Sequence, residues 1–327
     1  MSTAIAPAEK QKVSSHNIIE ILLTQLSRIT STGVFIPHID ALRFIAILTV
    51  FLFHLNEYIV AKFHLSLTDA HYDPLNIIVQ QGFIGVRLFF AISGFILALP
   101  FASRYFQEKP PPKLSQYFLR RLTRLEPPYI INMITCFVLV LIIKKLDFVQ
   151  TLLHFTAGIF YQHNITFASL NPINIVTWSL EVEVQFYILA PFISRLYLVK
   201  NTLFRRGLFI GLGLGSTALA YLLFYAGVTY IQMTLVYYLS SFLAGFLLVD
   251  LYLHDWNCQH KQQYRWDVIG FLAWILIFVI TALLDKHDTI GWDKSYWYQA
   301  LLHPGMVLIA YMIPRQKPRP NVCCFEA

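Results

Sequence analysis

Charged side chains are scarce in this sequence. Asp, Glu, Lys and Arg make up 13% of its 327 residues, about half the share a soluble domain carries. Apolar runs of 17–24 residues follow one another instead, each long enough to cross a hydrocarbon core of ~30 Å. A water-soluble globule is thereby excluded. A barrel is excluded too, because it needs short alternating segments, whereas these runs are continuous. The four cysteines, Cys136, Cys258, Cys323 and Cys324, show neither metal-ligand spacing nor a disulfide framework, and no metal is expected. There is no GxSxG elbow, no HExxH site and no Walker loop. Gly211-Leu-Gly-Leu-Gly215 falls short of a dinucleotide fingerprint, since Ser216 stands at the third glycine's place. Those glycines read as a small-xxx-small pattern that lets two helices approach.

What remains is a polytopic all-α membrane bundle. Spans are expected at about 39–60, 78–101, 127–143, 177–199, 207–226, 229–251, 268–285 and 297–313. Residues 148–161 are apolar but short, and read as a re-entrant or interfacial segment. The net charge of +7 does not signal nucleic acid, because the basic residues sit mostly in short loops. With the N-terminus inside, fifteen Lys and Arg fall on the inner side and five on the outer. That asymmetry fits eight spans with both termini cytoplasmic. Residues 1–37 then form a cytoplasmic tail, 38–313 the membrane domain and 314–327 a second cytoplasmic tail. A bacterial inner or plasma membrane is the expected location.

Intramembrane ionisable residues are costly and point to function. Arg43 and His54 stand eleven residues apart in one apolar run, about three turns or 16 Å, on nearly the same helix face. A lone buried histidine serves either as a hydrogen bond between helices or as a general base. Arg87 lies inside the second run, six residues before Ser93-Gly94, and needs a carboxylate, an anion or a snorkelling path. Ser93-Gly94 by itself fits helix packing.

Arg121 and Arg124, at i and i+3, share a face at the cytoplasmic mouth of the third span. They read as a topology anchor or as a phosphate clamp. In Thr177-Trp178-Ser179-Leu180-Glu181-Val182-Glu183-Val184-Gln185-Phe186-Tyr187 two carboxylates open an apolar helix. At i and i+2 they point in different directions, so at least one faces the bundle. Glu183 is placed to orient His54 or to pair with Arg87.

Taken together, these stretches resemble the acyltransferase 3 family of integral membrane acyltransferases, which O-acylate cell-envelope and secreted glycans. The likeness lies in Arg43-x10-His54, in Phe89-Phe90-Ala91-Ile92-Ser93-Gly94-Phe95, in Arg121-x-x-Arg124 before Pro127, and in Trp178-Ser179-Leu180-x-x-Glu183-x-Gln185-Phe186-Tyr187. All four occur in family order over residues 38–200. Residues 200–313 match only in hydropathy. Arg87 stands where the family often carries an acidic residue, which implies a different local charge pairing.

The resemblance implies a bundle of about ten helices, an acyl-CoA donor such as acetyl-CoA and a saccharide acceptor at the lipid bilayer. By motif, His54 is the expected base, Arg43 positions or polarises the acyl group, and Glu183 is an acidic partner. Arg121 and Arg124 are expected to hold CoA phosphates, and Ser93, Arg87, Trp178 and Ser179 to line the substrate pocket. The chain ends after the eighth span with Pro314-Arg-Gln-Lys-Pro-Arg-Pro320, so the family comparison leads one to expect a C-terminally truncated member. The expected function is transfer of an acetyl or similar group from acyl-CoA to a sugar hydroxyl. The rivals are a multi-span transporter with the same polar residues along its path, and an inactive member that survives as a binding subunit.

Overall fold

The computed structural model describes residues 37–63, 74–144 and 146–255, with residues 272, 275 and 276. Among them every regular element is helical. The expected spans at 268–285 and 297–313 lie outside the described residues apart from those last three, as does the expected tail 1–37 apart from Pro37, which opens a helix.

Helix α1 (Pro37–Phe63) carries Asp40 in its first turn and Lys62 in its last, charges that complement the helix dipole. A short α2 (Pro74–Gln80) and a 3-10 turn (Gln81–Phe83) lead into α3 (Ile84–Phe106). Next comes α4 (Leu114–Ile143), which begins thirteen residues before Pro127, where the span was expected to start. Pro127 and Pro128 sit inside it. Such breaks in the hydrogen-bond ladder are tolerated in membrane helices, where neighbours re-satisfy the freed groups. Arg120, Arg121 and Arg124 therefore lie on a helix and not in a loop.

The segment read as re-entrant or interfacial forms α5 (Phe148–Ile159), capped by the Asp147 carboxylate, which accepts from the Gln150 N–H at 2.9 Å. At twelve residues it is about 18 Å long, short of a crossing. After α6 (His163–Phe167), α7 (Trp178–Ile193) runs into a 3-10 turn (Ser194–Leu198). Then follow α8 (Thr202–Tyr225), with Asn201 as its cap, and α9 (Leu235–Asp250), which ends in a π turn (Leu251–Asp255).

Five stretches among the described residues are long and apolar enough to span a membrane, in α1, α3, α4, α8 and α9. They divide by burial. The apolar stretch of α3 is 72% buried and that of α9 67%, against 6% for α1. Helices α3, α7 and α9 thus form the centre, while α1, α4 and α8 turn residues such as Phe44, Ile131, Ile142 and Leu222 outward, as a lipid-facing surface requires.

The centre is set by glycines and phenylalanines. A Cβ at Gly94 would overlap the Phe242 carbonyl, and one at Gly245 the carbonyl of Ala91. The two backbones therefore touch where α3 crosses α9. Phe242 stacks on Phe90 with ring centroids 4.7 Å apart and on Phe186 at 4.0 Å, tying α7 to both. Among the described residues the expected close approach at Gly211 and Gly215 is not made, since nothing there lies within 4 Å of a Cβ at either. Only Gly213 meets α9, at Ser240.

Helix α8 is held to α9 by charge. Asp250, fully buried, is bridged by Arg205 and, at 2.8 Å, by Arg206, which also reaches Asp255 at 2.7 Å. Arg205 and Arg206, counted among the inner loop charges, are thus structural ion-pair partners as well.

Candidate active site

Helix α7 brings two carboxylates into the interior. Residues two apart on a helix point about 200° from each other, so Glu181 and Glu183 leave opposite sides of α7. Both are buried. Glu183 faces α3: its Oε1 accepts the Ser93 hydroxyl at 2.8 Å and the Tyr187 hydroxyl at 2.6 Å. Arg43 of α1 and Arg121 of α4 both lie within electrostatic reach of this carboxylate. Of the residues singled out in the sequence, Ser93 and Glu183 thus meet directly, with Arg43 and Arg121 in electrostatic reach of them.

Each has an identifiable support. Arg43 pairs with Asp40, one turn earlier, at 3.1 Å. Gly85 packs against Ala46 and Thr49 of α1 so closely that a Cβ there would overlap the Ala46 carbonyl. That contact holds the Arg43 turn of α1 against α3. Arg121 lies over the Tyr117 ring, its guanidinium carbon 5.9 Å from the ring centroid. The Tyr117 hydroxyl in turn donates to the Tyr187 backbone carbonyl at 3.1 Å. Among the described residues the buried Arg121 Nε has no hydrogen-bond partner. A donor left so costs ~1–3 kcal/mol, a cost that a bound carbonyl or phosphate oxygen would relieve.

The other residues stand elsewhere. Arg87 is 2% exposed and lies under two rings of α9, 4.9 Å from the Tyr237 centroid and 5.1 Å from that of Tyr238. Trp178 stacks on the same Tyr238 at 5.2 Å. Arg87 and Trp178 thus share Tyr238, the one by cation–π contact and the other by ring stacking. The Ser179 hydroxyl bonds the Val176 carbonyl of its own turn at 3.1 Å. Arg124 is exposed; the i, i+3 pair is divided, with Arg121 turned inward.

His54 is exposed, its ring edge-on to Phe53 at 5.2 Å. Glu183 takes its hydrogen bonds from Ser93 and Tyr187, not from His54. Their separation of eleven positions holds Arg43 and His54 about 16 Å apart along α1. A base must lie within hydrogen-bond reach of the proton it takes, so the two do not act on the same pair of atoms in this arrangement.

A third polar cluster was not foreseen. Glu181 Oε2 accepts the Asn164 N–H at 3.0 Å, and His163, fully buried, meets His154 nitrogen to nitrogen at 2.9 Å. Nothing in the spacing of 154, 163 and 181 announces this. The contact is made by the turn after α5, which folds back on the start of α7.

The sequence profile of the acyltransferase 3 family, described as an acyltransferase domain, matches residues 36–321. The chain belongs to this family. Among its curated relatives, the peptidoglycan O-acetyltransferase OatA of Listeria monocytogenes is 28% identical over 297 residues, covering 84% of this chain and 44% of the relative. A Staphylococcus aureus (strain COL) protein, named an O-acetyltransferase by inference, is 26% identical over 287 residues, 82% of this chain and 44% of its own length. The O-acetyltransferase OatA of Staphylococcus aureus (strain NCTC 8325) is 28% identical over 169 residues, 49% of this chain and 24% of that protein. The chain thus spans less than half the length of the curated relatives it matches. No solved structure matches it.

Every span, motif and cluster described above lies inside the segment matched to the acyltransferase 3 family. The multiple apolar helices mark the chain as an integral membrane protein of that family.

Proposed function

We propose that this acyltransferase 3 chain moves an acetyl or similar acyl group from acyl-CoA to a saccharide hydroxyl at the membrane. One observation carries the reading: within a family of acyltransferases, the Ser93–Glu183 bond joins two of the signature stretches in the bundle core, with Arg43 and Arg121 from the other two in electrostatic reach of that carboxylate. O-acetyltransferase relatives support oxygen as the atom acylated.

In the reaction the acceptor oxygen bonds to the acyl carbon, the carbon–sulfur bond breaks, and the hydroxyl proton ends on the CoA thiol. His54 takes that proton from the hydroxyl and returns it to the departing sulfur. Arg43, one station away along α1, positions the donor through a part of it remote from the reacting sulfur, with Glu183 as its acidic partner. Arg121 and Arg124 meet CoA phosphates, for which guanidinium forks are suited. Ser93, Arg87, Trp178 and Ser179 contribute to the substrate pocket.

The test is thermal unfolding of the detergent-solubilised chain with and without acetyl-CoA. A ligand that binds only the folded state raises the midpoint. The account expects a rise with acetyl-CoA that is lost in the Arg121→Ala/Arg124→Ala double variant. No rise at any concentration overturns it and favours a transporter that uses the same polar residues.

A further inference from the structure

Helix α7 contains Pro191 four residues after Tyr187. Proline has no N–H, so the Tyr187 carbonyl loses the helical donor it would otherwise have. The Tyr117 hydroxyl of α4 donates to that carbonyl at 3.1 Å in a buried bond. A second contact fixes how the two helices run: the Asn174 Nδ2 just before α7 donates to Asn132 Oδ1 on α4 at 2.7 Å. From Tyr117 to Asn132 is fifteen residues, and from Tyr187 back to Asn174 thirteen. The helices are therefore antiparallel and in step.

This register has a consequence for charge. One turn on from Tyr117 along α4 is Arg121, and one turn back from Tyr187 along α7 is Glu183. The pin at Tyr117 sets those two residues level. Accordingly, Arg121 lies within electrostatic reach of Tyr117, Glu183 and Tyr187. The Tyr117 ring supports the guanidinium, while Tyr187, whose carbonyl Tyr117 holds, donates its own hydroxyl to Glu183. Arg124, one turn further, is exposed.

We infer that Tyr117 is a positioning residue: its hydroxyl, captured by the carbonyl that Pro191 frees, sets Arg121 against Glu183. Its bearing on turnover rests on the acyltransferase reading above. The device also divides the arginine pair, keeping Arg121 at the interior station and leaving Arg124 at the surface.

The experiment compares the full chain, Tyr117→Phe, Pro191→Ala and the Tyr117→Phe/Pro191→Ala double variant in membranes. Tyr117→Phe keeps the ring and removes only the hydroxyl, leaving the Tyr187 carbonyl without a donor. Pro191→Ala returns the helical N–H, so in that background the carbonyl is satisfied without Tyr117. A merely structural Tyr117 would then be dispensable for both stability and turnover. Positioning predicts a split: the double variant matches its Pro191→Ala parent in thermal midpoint, yet both transfer acyl groups at least tenfold more slowly than the unmodified chain. Recovery of activity together with stability overturns the inference.

A second readout is independent of turnover. Cysteines at both positions (Arg121→Cys, Glu183→Cys) are joined by a short thiol cross-linker in Tyr117 and in Tyr117→Phe backgrounds. Cross-linking at least fivefold slower in the phenylalanine background supports the inference, and equal rates overturn it. Absence of transfer by the unmodified chain counts against the acyltransferase reading alone, and the cross-linking rates then decide the role of Tyr117.

Discussion

Tyr187 donates its hydroxyl to Oε1 of Glu183 at 2.6 Å from the next turn of the same helix, while Ser93 reaches the same oxygen from α3 at 2.8 Å. One carboxylate oxygen thus ties α7 to α3 at the centre of the bundle. Hydrogen bonds to a charged acceptor are worth ~1.5–3 kcal/mol, and a buried acceptor that loses its donor costs a similar amount.

Ser93→Ala should therefore lower the thermal midpoint by an amount equivalent to ~1–3 kcal/mol. Ser93→Thr, which keeps the hydroxyl, should cost less than Ser93→Ala if the bond rather than the volume matters. Thermal unfolding of both variants checks this, and equal losses would count against the bond.

The crossing of α3 on α9 leaves no room for a side chain. Gly94→Ala places a Cβ on the Phe242 carbonyl, and Gly245→Ala one on Ala91. Neither neighbour is a flexible side-chain tip, so the helices must part. Overpacking costs ~1–3 kcal/mol and more where backbone must move. Each variant should yield markedly less folded protein in membranes, whereas Gly211→Ala, with open space around it among the described residues, should be neutral or slightly stabilising.

Asp250 holds Arg205 and Arg206 in a buried network between α8 and α9. Asp250→Ala strands the Arg205 guanidinium, only 2% exposed, and removing one partner of a buried pair costs ~3–5 kcal/mol. Arg205→Met/Asp250→Leu, which removes both charges, should be more stable than Asp250→Ala alone. A double-mutant cycle on thermal unfolding measures the difference.

His163 lies outside the membrane-spanning stretches. Burial pushes its imidazole below the ordinary value of 6.5, and neighbouring His154 adds to the push. The folded state therefore favours the neutral ring more strongly than the unfolded chain does. The sign follows from linkage: this stability is complete above pH 6.5 and is lost as pH falls below it, where the unfolded chain takes up the proton first. The thermal midpoint should fall on acidification through pH 6 to 5, and less steeply in His163→Gln. An equal slope in the variant would remove His163 from the account.

Much of the centre was legible in the sequence. Apolar runs marked the spans, and the rarity of carboxylates in them made Glu181 and Glu183 conspicuous. The arginine pair was only half legible. Spacing put Arg121 and Arg124 on one face, but which of them turns inward depends on Tyr117, and Tyr117 is seated by a carbonyl seventy residues away. That is a tertiary fact with no local signal, although Pro191 inside an apolar helix was a visible sign that some carbonyl there needed a partner. The glycines show the same limit. Gly211-x-x-x-Gly215 had the pattern of a helix contact, yet Gly94 and Gly245 make it, because close approach needs a facing partner as well as a small residue.

The central claim is acyl transfer that depends on His54, and one measurement tests it most directly. Membranes carrying this chain, its His54→Ala variant or neither are supplied with acetyl-labelled acetyl-CoA, and label in extracted saccharide is counted. The account predicts label with the unmodified chain and background counts with the other two, the variant being present in membranes at normal level. Label at full level with His54→Ala, or none with the unmodified chain while acetyl-CoA still raises its thermal midpoint, would contradict it.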